Sequence, residues 1–186
     1  MEEKGITRID VEKNLQGRGD YVKIDYLMRV LKRDLDFDTR KFALIKLIGV
    51  YESKKMFLEA GKLMRIAADI NTTFKGKIQD YLKSIELFVW AGSFAEADIS
   101  YTKCIGIASE SEKIFVKDKV KDYYRTQAKN FIGKGKRSHA MEAFEKLLTY
   151  DLSLEEKRKV NEQLLELYGK LGKIREYEML KRSMKS

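Results

Sequence analysis

The two side chains that most often carry covalent or acid–base chemistry each occur once in this chain, as Cys104 and His139. A lone cysteine excludes an intramolecular disulfide and a cysteine-based zinc site, because neither has enough sulfur ligands. One His and one Cys give no basis for a His-rich metal site or a Cys–His nucleophile pair. Carboxylates remain. Glu86 with Glu96, or Glu162 with Glu166, could act as acid and base, but acidic residues along solvated helices account for both pairs. The run "GKGKR" from Gly133 to Arg137 lacks the Gly-x-x-x-x-Gly-Lys-Ser/Thr spacing of a phosphate loop, and no strand precedes it. The tripeptide Arg18-Gly19-Asp20 matches a cell-adhesion motif, yet Asp20 at this place is expected to cap a helix. No residue is therefore given a catalytic or metal-binding role, no cofactor is implied, and the chain is expected not to be an enzyme. Cys104 is expected to be a buried apolar thiol, and His139 to face solvent.

The elements that would position other chemistry follow from composition and period. With 44% hydrophobic and 36% charged residues among 186, the chain suits one globular domain or a short repeat array. No apolar run approaches the ~18 residues that span a bilayer, and the start "MEEKGITRIDVEKN" lacks the apolar segment of a secretory signal. A soluble, cytoplasmic protein is expected. The net charge of +9 is uneven: residues 119–186 hold 17 Lys and Arg against 10 Asp and Glu, whereas residues 61–118 are balanced. Such an excess attracts phosphates, acidic peptides or anionic lipid, and it also keeps a protein soluble.

Residues 1–19 are polar and carry Gly5, Gly17 and Gly19, so they read as a flexible lead-in, with residues 20–186 as a single helical domain. Helical spacing begins with Val22, Tyr26, Leu27, Val30 and Leu31, and continues through Ala43, Leu44, Leu47 and Ile48. Strand-like alternation is absent. In "FVWAGSFAEADISYTKC", residues 88–104, Gly92 can end a helix in the left-handed conformation. Ser93 followed by Glu96 has the spacing of a capping box that starts the next. Two antiparallel helices are predicted over 77–91 and 93–109.

The turn recurs. Phe88, Gly92, Phe94, Ala97, Tyr101 and Cys104 align by offset with Tyr51, Lys55, Phe57, Ala60, Met64 and Ala67. The same offsets fit Phe131, Gly135, Arg137, Ala140, Phe144 and Leu147, then Tyr168, Gly172, Ile174, Tyr177, Lys181 and Met184. Self-similarity at this period marks a helical solenoid, in which each hairpin leaves an apolar face for the next to cover. Ala60, Ala97 and Ala140 let paired helices approach closely, while the aromatic before each turn fills the space between repeats. Tyr177 and Lys181 in the fourth copy suit a solvent-facing terminal repeat. Ser111 to Lys134 reads as one long helix.

An aromatic, Gly four residues later and Ala five after that resembles the tetratricopeptide repeat (TPR) superfamily. The pattern is complete at Phe88, Gly92, Ala97 and at Phe131, Gly135, Ala140. Lys55 replaces the Gly in the first copy, and the last copy keeps Tyr168 and Gly172 but loses the Ala. The resemblance covers residues 40–186 and implies an all-α, TPR-like superhelix of about four hairpins, with Asp20 to Leu35 as an N-terminal packing helix. It also implies a non-catalytic adaptor whose first helices line a concave groove for a protein or peptide. The groove residues would be Phe42, Ile45, Gln79, Leu82, Glu86, Trp90, Arg125, Lys129 and Lys159. Relatives that grip chaperone tails use a carboxylate clamp; the corresponding Ile45, Gly49, Lys83, Asp122 and Thr126 include one Lys, so that mode is rejected. The competing partner is nucleic acid, along an edge of Lys134, Lys136, Arg137, Lys170, Lys173 and Arg175. A solvated edge that opposes aggregation accounts for the same cations, and the stacking motif of an RNA-recognition domain is missing.

Overall fold

A computed structural model describes residues 5–184 and shows ten helices and no strand among them. They are α1 Arg8–Leu15, α2 Asp20–Leu31, α3 Phe37–Ser53, α4 Phe57–Ile70 and α5 Phe74–Ala91, followed by α6 Phe94–Ile107, α7 Glu110–Gly133, α8 Arg137–Leu147, α9 Leu154–Leu171 and α10 Ile174–Ser183. None of these helices is long and apolar enough to cross a membrane.

Helices α3 to α10 pair as four hairpins, and the two members of each pair start differently. The first helices begin at a capping side chain: Asp36, Thr73, Ser109 and Ser153 each accept a hydrogen bond from an amide of the first turn. This satisfies a donor that the helix itself leaves orphaned. The second helices have no side-chain cap, and Met56, Ser93, Lys136 and Lys173 precede them with φ between −96 and −81° and ψ between 62 and 70°. Asp36, Thr73 and Ser153 stand 15 residues before Tyr51, Phe88 and Tyr168, whereas Ser109 stands 22 before Phe131. The seven extra residues of α7 are about two helical turns, so its apolar face keeps its direction.

The four turns share one backbone solution. The amides of Met56, Ser93, Lys136 and Lys173 donate to the carbonyls of Tyr51, Phe88, Phe131 and Tyr168, each at 2.9 Å. Between donor and acceptor the chain passes through positive φ, at Lys55 (58°), Gly92 (75°), Gly135 (70°) and Gly172 (69°). This is the Schellman arrangement that closes a helix end.

Two expectations about local structure are corrected. Ser93 does not cap α6, and Glu96 pairs with Arg65 of α4, Nη1 to Oε2 at 2.6 Å. Asp20 does not cap α2, which starts after Gly19 without a side-chain cap; its carboxylate meets Lys54 at 2.8 Å.

The described residues fall into two compact units, one ending at Ala108 and the other beginning at Ser109. In the first unit each of α2 to α6 packs on its neighbour in sequence, and α1 packs on α3. The segment expected to be a flexible lead-in thus contains a helix, with residues 1–4 lying outside the described part. Its capping box joins Thr7 to Asp10, and Val11 is fully buried among Leu27, Val30, Leu44 and Leu47. Hydrophobic burial of one side chain and a local cap together outweigh a polar composition.

Farther along, Ser84 of α5 donates to the carbonyl of Gly61 in α4 at 3.0 Å and meets Ser100 of α6 at 3.0 Å, all three residues buried. In the second unit α7, α8, α9 and α10 pack in order. Ala60, Ala97 and Ala140 are buried as small residues in their hairpins. In α10 the larger Tyr177 is matched by Gly169 of α9, where an added Cβ would come within 3.9 Å of the ring.

Candidate functional site

A cleft of about 500 Å³ opens in the second unit above α8. Helical spacing places its walls. Arg125 and Lys129, four apart, project from α7; Glu156, Lys159, Val160, Glu162 and Gln163 line it from one broad face of α9. Its floor is buried Phe144 of α8 with buried Val160.

Arg125 is a strut across the cleft. It donates to Asp122 at 2.6 Å on its own helix and to Glu156 at 2.7 Å on α9. Glu156 also accepts from the Ser153 amide at 2.9 Å as part of the α9 capping box. Hydrogen bonds from Ser153, with Arg125 beside them, hold the Glu156 carboxyl below the usual carboxylate range. Lys159 meets Glu155 at 2.5 Å. Exposed Lys129 makes no ion pair among the described residues. The cleft therefore offers an apolar floor, a fixed guanidinium–carboxylate pair and a cation at liberty to bind an anion.

Three predicted groove residues, Arg125, Lys129 and Lys159, are brought together here. The other six lie in the first unit and behave differently from one another. Leu82 is 6% exposed and belongs to the core rather than to a surface. Trp90 packs edge-on against Phe57 of α4, ring centroids 5.3 Å apart, and Lys83 lies 5.2 Å over its indole.

Lys83 also bridges Glu86 at 3.0 Å and Glu52 of α3 at 2.8 Å. Burial pushes the Lys83 ammonium pKa down, but the two carboxylates outweigh it and hold the value above that of an ordinary lysine. A second strut, Lys41 to Asp80 at 3.1 Å, again ties α3 to α5. The cations of Arg8 and Lys46 lie 4.7 and 5.1 Å from the centre of the Phe42 ring. Only Ile45 and Gln79 of the six present an exposed side chain.

Cys104 is fully buried, as expected for a small apolar residue. His139 is exposed, with its ring centroid 5.3 Å from that of Phe131. Among the described residues no group of three or more His, Cys, Asp and Glu side chains is arranged to hold a metal. The edge cations are on two turns of the second unit: Lys134, Lys136 and Arg137 around the turn from α7 to α8, and Lys170, Lys173 and Arg175 around the turn from α9 to α10.

Sequence reasoning missed Glu156 and Gln163 as cleft residues. Glu156 carried a usable signal, the Ser-x-x-Glu spacing from Ser153, which fixes where α9 begins and hence which of its residues face α7. Gln163 carried none. Comparison with protein-family models finds no match to the chain, and comparison with curated proteins finds none either.

Proposed function

We propose that the chain is a TPR-like helical-repeat protein, a non-catalytic cytoplasmic adaptor that holds a protein or peptide segment. Four hairpins with the same capped start, the same left-handed turn and the same uncapped restart support the repeat reading. The single observation that carries the binding reading is the convergence of Lys129 and Lys159 over the apolar floor of Phe144 and Val160 in one open cleft. A segment with an apolar side chain for the floor and a carboxylate for Lys129 fits this chemistry. Arg125, already bridged on both sides, shapes the cleft and contributes less to partner contact.

The test compares native-extract capture by the unaltered protein and by Lys129→Glu/Lys159→Glu, with thermal melts alongside. Both side chains are exposed, and only the pair of Lys159 with Glu155 is given up, so the double variant should stay within about 1 kcal/mol of the unaltered chain. A protein held by the unaltered chain and released by the double variant supports the cleft. Equal capture of the same protein by both would refute it.

A further inference from the structure

The groove leaves unused the strongest charge feature of the second unit. Helices α7, α8, α9 and α10 pack in order and reverse direction at each short connection, so the α7–α8 and α9–α10 turns lie at the same end of this unit. Lys170 there is engaged by Glu166. Lys134, Lys136, Arg137, Lys173 and Arg175 make no ion pair among the described residues, and all but Lys173 are exposed.

Aliphatic side chains stand among them. Ile174, between Lys173 and Arg175, is 75% exposed, and Ile132, two residues before Lys134, is 39% exposed. The equivalent turn carries Arg137 in the place that Ile174 occupies, so the turn itself does not require an aliphatic residue there.

We propose that this end of the unit docks on an anionic membrane surface, its lysines and arginines on lipid phosphates and carboxylates and Ile174 at the headgroup–acyl boundary. Cations interleaved with exposed aliphatic residues are the pattern that an interface of charged headgroups over hydrocarbon rewards. A nucleic acid strand would instead draw on rings to stack its bases. Over residues 132–139 and 169–176 the one ring is that of His139, which lies against Phe131.

The test is co-sedimentation of the full chain with phosphatidylcholine vesicles, with and without phosphatidylserine. Binding should appear only with phosphatidylserine and weaken as salt is raised. Each cation removed should lower partitioning about fivefold, so Lys136→Gln/Arg137→Gln should lower it about 25-fold. Ile174→Ser should lower it further at a salt concentration where charge is screened. Equal binding to both vesicle types, or binding to phosphatidylserine vesicles unchanged in the variants, would overturn the proposal. Retention of a single-stranded RNA probe without vesicle binding would overturn it in favour of nucleic acid. If a variant melts early, the salt dependence of the unaltered chain decides: partitioning insensitive to salt would also overturn it.

Discussion

The amide of Lys136 donates to the carbonyl of Phe131 across 2.9 Å, and Ser93 stands in the same relation to Phe88. The five-residue reach of this bond explains why an aromatic is followed four positions later by a residue that must turn left-handed. The aromatic serves twice. Its carbonyl closes the helix end, while its buried ring fills space inside the unit. Period and packing are coupled through one residue.

Lys55 and Gly135 should therefore respond to substitution in opposite directions. Gly135 has φ of 70° and nothing within 4 Å of an added Cβ, so Gly135→Ala meets only backbone strain and should lose about 1 kcal/mol. Lys55 carries that strain already, at φ of 58°. Lys55→Gly should gain a few tenths to about 1 kcal/mol, part of the relief being offset by a more flexible unfolded chain. Thermal melts decide, and equal losses at both positions would show that handedness is not what the glycine supplies.

The turns were legible because Gly, an aromatic and a short offset act through local backbone, and even Lys55 kept its register. Caps were legible only in part. Ser93 and Glu96 have the spacing of a box, but the Ser93 amide is already given to Phe88, so the Glu96 carboxylate has no donor to return to and goes to Arg65. At Ser109 and Ser153 the amide is free of such a turn, and Glu112 and Glu156 each close the box. The surface pairings were illegible. Lys83 with Glu52, Arg125 with Glu156 and Trp90 with Phe57 depend on which faces of different helices meet, and a period within one helix does not fix that.

Ser84 and Ser100 form a buried polar pair on the Gly61 carbonyl, joining α4, α5 and α6. Ser84→Ala should cost about 1–3 kcal/mol, because it removes both bonds and leaves the buried Ser100 hydroxyl short of a partner. Adding Ser100→Ala should cost little more, since the second hydroxyl then no longer needs satisfying. Urea midpoints of the two singles and the double test this; simple additivity would mean the hydroxyls act independently.

Asp69 gives an acid dependence with a definite sign. Burial pushes its carboxyl pKa up, but bonds from Lys103 and the Tyr81 hydroxyl outweigh this and hold it below the ordinary value. A carboxyl whose pKa is lower folded than unfolded stabilises above the unfolded value, about 3.9, and loses that contribution as pH falls through the folded one. Asp69→Asn should melt lower at neutral pH, and the gap to the unaltered chain should narrow as pH drops below about 4. A gap of constant size down to pH 3 would reject the assignment.

Gly61 sets how closely α4 can lie on α5, the contact that joins the first hairpin to the second. A Cβ there would stand 2.8 and 2.9 Å from Cδ1 and Cε1 of Phe88 and 3.1 Å from Cγ. Phe88 is fully buried, so its ring has no solvent to move into. Gly61→Ala should cost about 1–3 kcal/mol by overpacking. Phe88→Leu should cost a similar amount by leaving space. Combined, the smaller side chain gives the new methyl room, and the double variant should be more stable than the sum of the singles by about 1 kcal/mol or more. Purely additive denaturant midpoints would show that something other than this ring keeps position 61 bare, and the spacing of the two hairpins would need another cause.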